Sequence, residues 1–131
     1  MENKELLDKI IEGTQIEEQV TITFNGEDFT FTLKPLTSGQ LSTLQRLERK
    51  GLNINISSKG KASPIDITAG DLADNQAEAM FKGISFSLEA PVEKVKLLPL
   101  EIVEALFKEI IRISKVSDNE LILVKNFHED N

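Results

Sequence analysis

The chain has 131 residues, 40% of them apolar and 28% charged, and its 22 acids against 15 bases leave a net charge of −7. A chain of this length is expected to form one domain, 1–131, that removes somewhat under about 70% of its unfolded surface from water and needs no metal or disulfide staple. The acidic balance disfavours nucleic acid as a partner, no run of about 18 apolar residues offers a membrane span, and the Cys-free chain with no signal-peptide order in its first five residues points to the cytoplasm.

Residues 1–18 hold six of the acids, and Leu6-Leu7 and Ile10-Ile11 stand four apart, predicting a short amphipathic helix before Gly13 that docks or frays. Residues 19–34 alternate strictly on either side of Asn25-Gly26 and predict a hairpin with a two-residue turn. In that register Phe24 faces Glu27, Ile22 faces Phe29 and Val20 faces Phe31. Val20, Ile22, Phe24, Phe29, Phe31 and Leu33 then share an apolar face, with threonines on the other.

Pro35 ends the second strand, and Thr37 with Gln40 fits a capping box that opens a helix over 38–50, stopped by Gly51. Leu41, Leu44 and Leu47 form a narrow stripe, wide enough for one neighbour. The basic cluster of Arg46, Arg49, Lys50, Lys59 and Lys61 reads as a solvated face, with three of the five offsetting a helix C-terminus.

Residues 52–69 are polar and rich in Ser and Gly, predicting a long mobile loop, although Leu52, Ile54 and Ile56 alternate and could add a short strand. Thr68 to Asp71 restarts helix, predicted over 70–89, with Ala73, Ala77, Met80, Phe81, Ile84 and Leu88 on one face. Residues 84–88 also alternate and Gly83 could stop a helix, so a strand is the alternative there.

Pro99 marks the start of a helix over 99–114. Ile102, Val103, Leu106, Ile110 and Ile113 span about 100° of its circumference, and Leu100, Phe107 and Ile111 widen the apolar arc to about 180°. So wide an arc needs two neighbours: either this helix lies between the sheet and another helix, or Leu100, Phe107 and Ile111 face a second chain. In the tail, 118–131, Leu121-Ile122-Leu123-Val124 and Phe127 could form a closing strand, a short docked helix or a sticky segment. These eight residues, Leu100, Phe107, Ile111, Leu121, Ile122, Leu123, Val124 and Phe127, are the candidate partner contacts. The expected fold is α+β, an N-terminal β-hairpin packed on a mostly helical domain of three to four helices.

No catalytic, cofactor-binding or metal-binding residue stands out. The one histidine, His128, falls near the end of the sequence, and Gly60-Lys61 resembles the end of a phosphate loop but is followed by Ala62 where Ser or Thr should hold magnesium. The 22 acids allow many carboxylate pairs, and no spacing singles one out.

The order of features is a threonine-rich strand pair running into "FTLKPLTSGQLSTLQRL", a polar loop, a helix ending near "LEAPVEKV", and then "LLPLEIVEALFKEIIRIS". Over roughly residues 20–117 this order resembles the tail assembly chaperones of long-tailed phages and prophages, with Lys115 where a glycine would be expected after the closing serine. The resemblance implies a non-enzymatic protein in the host cytoplasm. It would bind tape-measure and tail-tube proteins during assembly, often with self-association to a homo-oligomer. The alternative is a structural subunit retained in a tail or other assembly.

Overall fold

The computed structural model describes residues 2–50, 69–117, 120–122 and 124, with the side chains of 69–73 outside the description. Gly51, the loop expected over 52–69, the Thr68 cap, Leu123, Phe127 and His128 therefore lie outside the described residues or side chains. In chain order the elements are α1 (Asn3–Thr14), β1 (Glu18–Phe24), β2 (Glu27–Leu33), α2 (Ser38–Glu48), α3 (Ala69–Leu88), α4 (Val92–Val95) and α5 (Leu100–Ser114). The architecture is α+β, an antiparallel hairpin on helices that pack together, with α3 touching α2, α4, α5 and β2 while α5 also touches β1.

The hairpin follows from its turn. Asn25 and Gly26 both take positive φ, 55° and 78°, as a type I′ turn requires. The register pairs Phe24 with Glu27, Ile22 with Phe29 and Val20 with Phe31, as the alternation predicts. Leu33 is fully buried and Val20, Ile22, Phe24 and Phe31 pack partly buried against the core, whereas Phe29, close to the turn, stays exposed. The wet face is tied by Thr21 and Thr30, whose hydroxyls lie 2.9 Å apart, and by Thr23 Oγ1, which donates to Asp28 Oδ1 at 2.6 Å.

Beyond β2 the ladder is continued by serines at helix ends. Buried Ser87, in the last turn of α3, accepts the Lys34 N–H at its Oγ (3.1 Å) and donates to the Lys34 carbonyl (2.7 Å). Ser114, the last residue of α5, accepts the Leu36 N–H at 2.8 Å. The connection through Pro35 is thus held at both sides, and α2 starts where Thr37 Oγ1 accepts from Gln40 N (3.1 Å) while Gln40 Oε1 accepts from Thr37 N (3.0 Å). That is the capping box the sequence predicts.

Helix α3 is continuous from Ala69 to Leu88, so residues 84–88 are helix, and Gly83 is no stop. It lies buried in the helix because a Cβ there would fall 2.9 Å from Phe107 Cε1 and 3.1 Å from Leu44 Cδ1. The missing side chain lets α5 and α2 close on α3. Phe86, off the main stripe, is half-buried with the Lys82 ammonium 5.1 Å from its ring centre.

The helix ends with Glu89 at φ 56°, and Ala90 N donates to Ser85 O at 3.1 Å, a left-handed cap of the kind usually given to glycine. Helix α5 ends in the same way. Lys115 has φ 57° and ψ 40°, its N–H reaches Arg112 O at 3.3 Å, and Val116 N reaches Ile111 O at 3.2 Å. This Schellman motif needs a left-handed residue after Ser114, and a lysine occupies the place usually given to glycine.

The single turn α4 is not anticipated from the sequence; Pro91 precedes it and Val95 inside it is buried. Pro99 is the N-cap of α5, one position before the first helical residue, and its carbonyl accepts from Ile102 N (3.0 Å) and Val103 N (3.1 Å). Apart from Leu100, which is exposed, and Ile113, half-buried, the wide apolar arc of α5 is buried within the chain. Ile102, Val103, Leu106, Phe107, Ile110 and Ile111 are all buried, between α3, β1 and the segment that follows α5.

Candidate functional site

Four of the eight candidate partner contacts are corrected by burial. Phe107, Ile111, Leu121 and Val124 belong to the core cluster, so in this fold they present no surface to a second chain. Ile122 is half-buried, Leu100 is 63% exposed, and Leu123 and Phe127 lie outside the described side chains. The backbone at Ile122 and Val124 is helical, which matches the docked helical turn among the readings of the tail and replaces the strand and the sticky segment for these residues.

The tail is seated by α2. Glu48, at its last turn, is fully buried, and its Oε1 accepts the Ile122 N–H at 2.9 Å; Gln45 Nε2, one turn earlier, donates to the Glu120 carbonyl at 3.0 Å. Sequence reading misses both residues, because a glutamate near a helix end ordinarily faces water and its acceptor role here depends on a main-chain donor far along the chain.

The exposed apolar surface lies elsewhere, on α1. Leu6, Leu7, Ile10 and Ile11 occupy one side of this helix and are 45%, 59%, 62% and 55% exposed, and no residue of α1 is buried. Lys4, Glu5, Asp8, Lys9 and Glu12 alternate with them around the cylinder. The sequence pattern reveals the amphipathic helix; among the described residues none of its side chains is buried against the domain.

The end of helix α1 meets the loop after β2. Gln15 Nε2 donates to Pro35 O at 3.4 Å, and Ile11, Ile16, Leu36 and Ile113 contribute to an open groove of about 710 Å³ between the helix end and the α5 terminus. One wall of the groove carries Arg112, bound by the carboxylates of Glu18 and Glu109; these hydrogen bonds, first that to Glu18, raise its already high pKa, so it stays charged. A second, smaller apolar exposure is Leu97, 84% exposed, beside Leu100 on the turn into α5.

Chemically, an apolar helical face flanked by mixed charges can bury itself in a partner's apolar surface. Among the described residues no group of three His, Cys, Asp or Glu is placed to hold a metal, and no helix is long and apolar enough to cross a membrane. No protein family, curated protein or solved structure matches the chain.

Proposed function

We propose that the chain is a non-enzymatic binding protein that acts as a phage-type tail assembly chaperone, taking an apolar helix of a tape-measure protein on α1 and bringing tail-tube subunits to it. The order of sequence features supports the family reading. The observation that carries the binding role is the exposure of Leu6, Leu7, Ile10 and Ile11 on a helix that the core does without.

Full burial of a Leu or Ile side chain is worth about 1.5–3 kcal/mol, so completing the burial of these four, each already about half covered, contributes about 3–7 kcal/mol before the cost of association. That magnitude suits reversible capture, with other contacts such as Leu97 and Leu100 adding to it. The charge of −7 on the chain steers it away from nucleic acid and anionic membranes toward protein partners.

The test is co-expression of the full chain with a tape-measure protein. The pair should purify together, and Leu7→Glu with Ile10→Glu should abolish co-purification while leaving the helical circular dichroism and the unfolding midpoint unchanged, since neither residue is in the core. Undiminished complex with the double variant would overturn the role of α1. Stoichiometric presence of the chain in purified particles would replace the chaperone reading with that of a retained structural subunit.

A further inference from the structure

A two-stranded sheet has two outer edges, and the turn decides which main-chain groups face them. A two-residue turn is closed by a hydrogen-bonded pair, here Phe24 with Glu27. Glu27, Phe29, Phe31 and Leu33 therefore direct their N–H and C=O groups to β1, and Asp28, Thr30 and Thr32 direct theirs away from it. Lys34 is next in the outward series, and there Ser87 of α3 already fills the edge: the Lys34 N–H donates to the Ser87 carbonyl (3.2 Å), and the Lys34 carbonyl accepts from Ser87 Oγ (2.7 Å). The edge of β2 is thus closed at its base. Among the described residues it is open at Thr32, Thr30 and Asp28, all three exposed.

We propose that this open edge binds a partner protein by strand addition, and that the segment it takes is extended, runs antiparallel to β2 and alternates basic with apolar residues. The edge shares no residue with α1, so its role stands or falls apart from the one proposed there.

Three observations carry it. First, the strand has none of the devices that keep an edge from pairing: Glu27–Leu33 reads EDFTFTL, without lysine or proline, and it pairs with β1 residue for residue, without a bulge. Secondly, Phe29 is 39% exposed and Phe31 half-buried, so apolar side chains of an added strand find aromatic neighbours to cover. Thirdly, Glu18, Glu27 and Asp28 are the only charged residues from 18 to 33, and Lys34, the next cation along the chain, is held by Glu89 at 3.0 Å. A lysine or arginine opposite Asp28 or Thr30 therefore meets negative charge, directly or on the diagonal. A second copy would bring the same acid-bearing strand, which is why a different, basic sequence is assigned.

The geometry fixes which atoms of the added strand matter. Asp28, Thr30 and Thr32 lie on the threonine face, so the residues that bond to them are the basic ones, and the apolar residues turn their N–H groups to the far side. The probe is a capped peptide of about eight alternating Lys and Val residues, added to the isotopically labelled full-length chain. The amide signals of Asp28, Thr30 and Thr32 should shift and their hydrogen exchange should slow. Methylating the main-chain nitrogens of the lysines should weaken binding about tenfold or more, whereas methylating those of the valines should leave it intact. Glu27→Gln with Asp28→Asn should weaken it about fivefold; if that variant is less stable, the two methylated peptides, which leave the protein unaltered, still decide. Unmoved signals at these three amides with millimolar peptide overturn the proposal. Equal binding of the two methylated peptides also does so, since charge attraction alone would then be at work. A dimer of the unaided chain that Thr30→Pro abolishes and the peptide cannot displace gives the edge to a second copy and likewise overturns it.

Discussion

The close approach at Gly83 gives a prediction whose sign depends on tertiary packing. A methyl group placed there would lie 2.9 Å from Phe107 Cε1 and 3.1 Å from Leu44 Cδ1, against the about 3.5–4.0 Å at which carbon atoms attract one another best. Both neighbours are fully buried, so neither can swing into solvent to make room. Overpacking of this kind costs about 1–3 kcal/mol. Against it stands the gain from replacing a mid-helix glycine with alanine, about 0.8–1 kcal/mol. Gly83→Ala should therefore lose about 1 kcal/mol, seen as a fall of about 3–5 °C in the unfolding midpoint followed by circular dichroism. Gly13→Ala shows the propensity effect alone: it sits in α1 with nothing within 4 Å of a new Cβ, and should raise helical content without a clash. Combining Gly83→Ala with Phe107→Leu removes the ring edge that the methyl meets, so the double variant should lose less than the two single losses added together, by about 0.5 kcal/mol or more. A Gly83→Ala midpoint raised above that of the parent chain would refute the argument, since it would mean that propensity alone decides and that the α3–α5 contact has slack.

Phe107→Ser with Ile111→Ser should unfold the chain, because each change opens a core cavity worth about 2–5 kcal/mol and adds a hydroxyl, together comparable with the whole ~5–15 kcal/mol of a typical domain; a double variant with an intact helical spectrum would return these residues to the surface. Gly26→Val forces a β-branched residue to a φ of 78° and should cost about 1 kcal/mol or more in urea denaturation, with an unchanged midpoint contradicting the type I′ turn.

What could be read from the sequence was what is decided within a few residues. Asn25-Gly26 and strict alternation set the hairpin and its register, and Thr37 with Gln40 set the start of α2, since each interaction joins neighbours in the chain. The width of the apolar arc on α5 was also legible, but whether it met a sheet and a helix or a second chain was not, because periodicity measures a face and not its cover. Gly83 left a strand over 84–88 open beside the expected helix for the same reason: its purpose is set by Leu44 and Phe107, from two other helices. The caps at Glu89 and Lys115 escaped because their left-handed residues are not glycines, so the usual marker is missing. On α1 the pattern was plain, and what it could not say was that the core closes without it.

The polar contacts that complete the fold join residues far apart in the chain: Leu36 with Ser114, Gln45 with Glu120 and Glu48 with Ile122 are separated by 78, 75 and 74 residues. The entropy of closing such loops must be met before these bonds return anything, whereas the hairpin turn and the α2 cap form between near neighbours. This predicts an order of events during folding, local turns and helices first and these distant contacts, the α2 seat among them, later. Contacts made after the transition state change unfolding more than folding, so weakening the seat, for example by Glu48→Gln, is predicted to speed unfolding while leaving the folding rate nearly untouched.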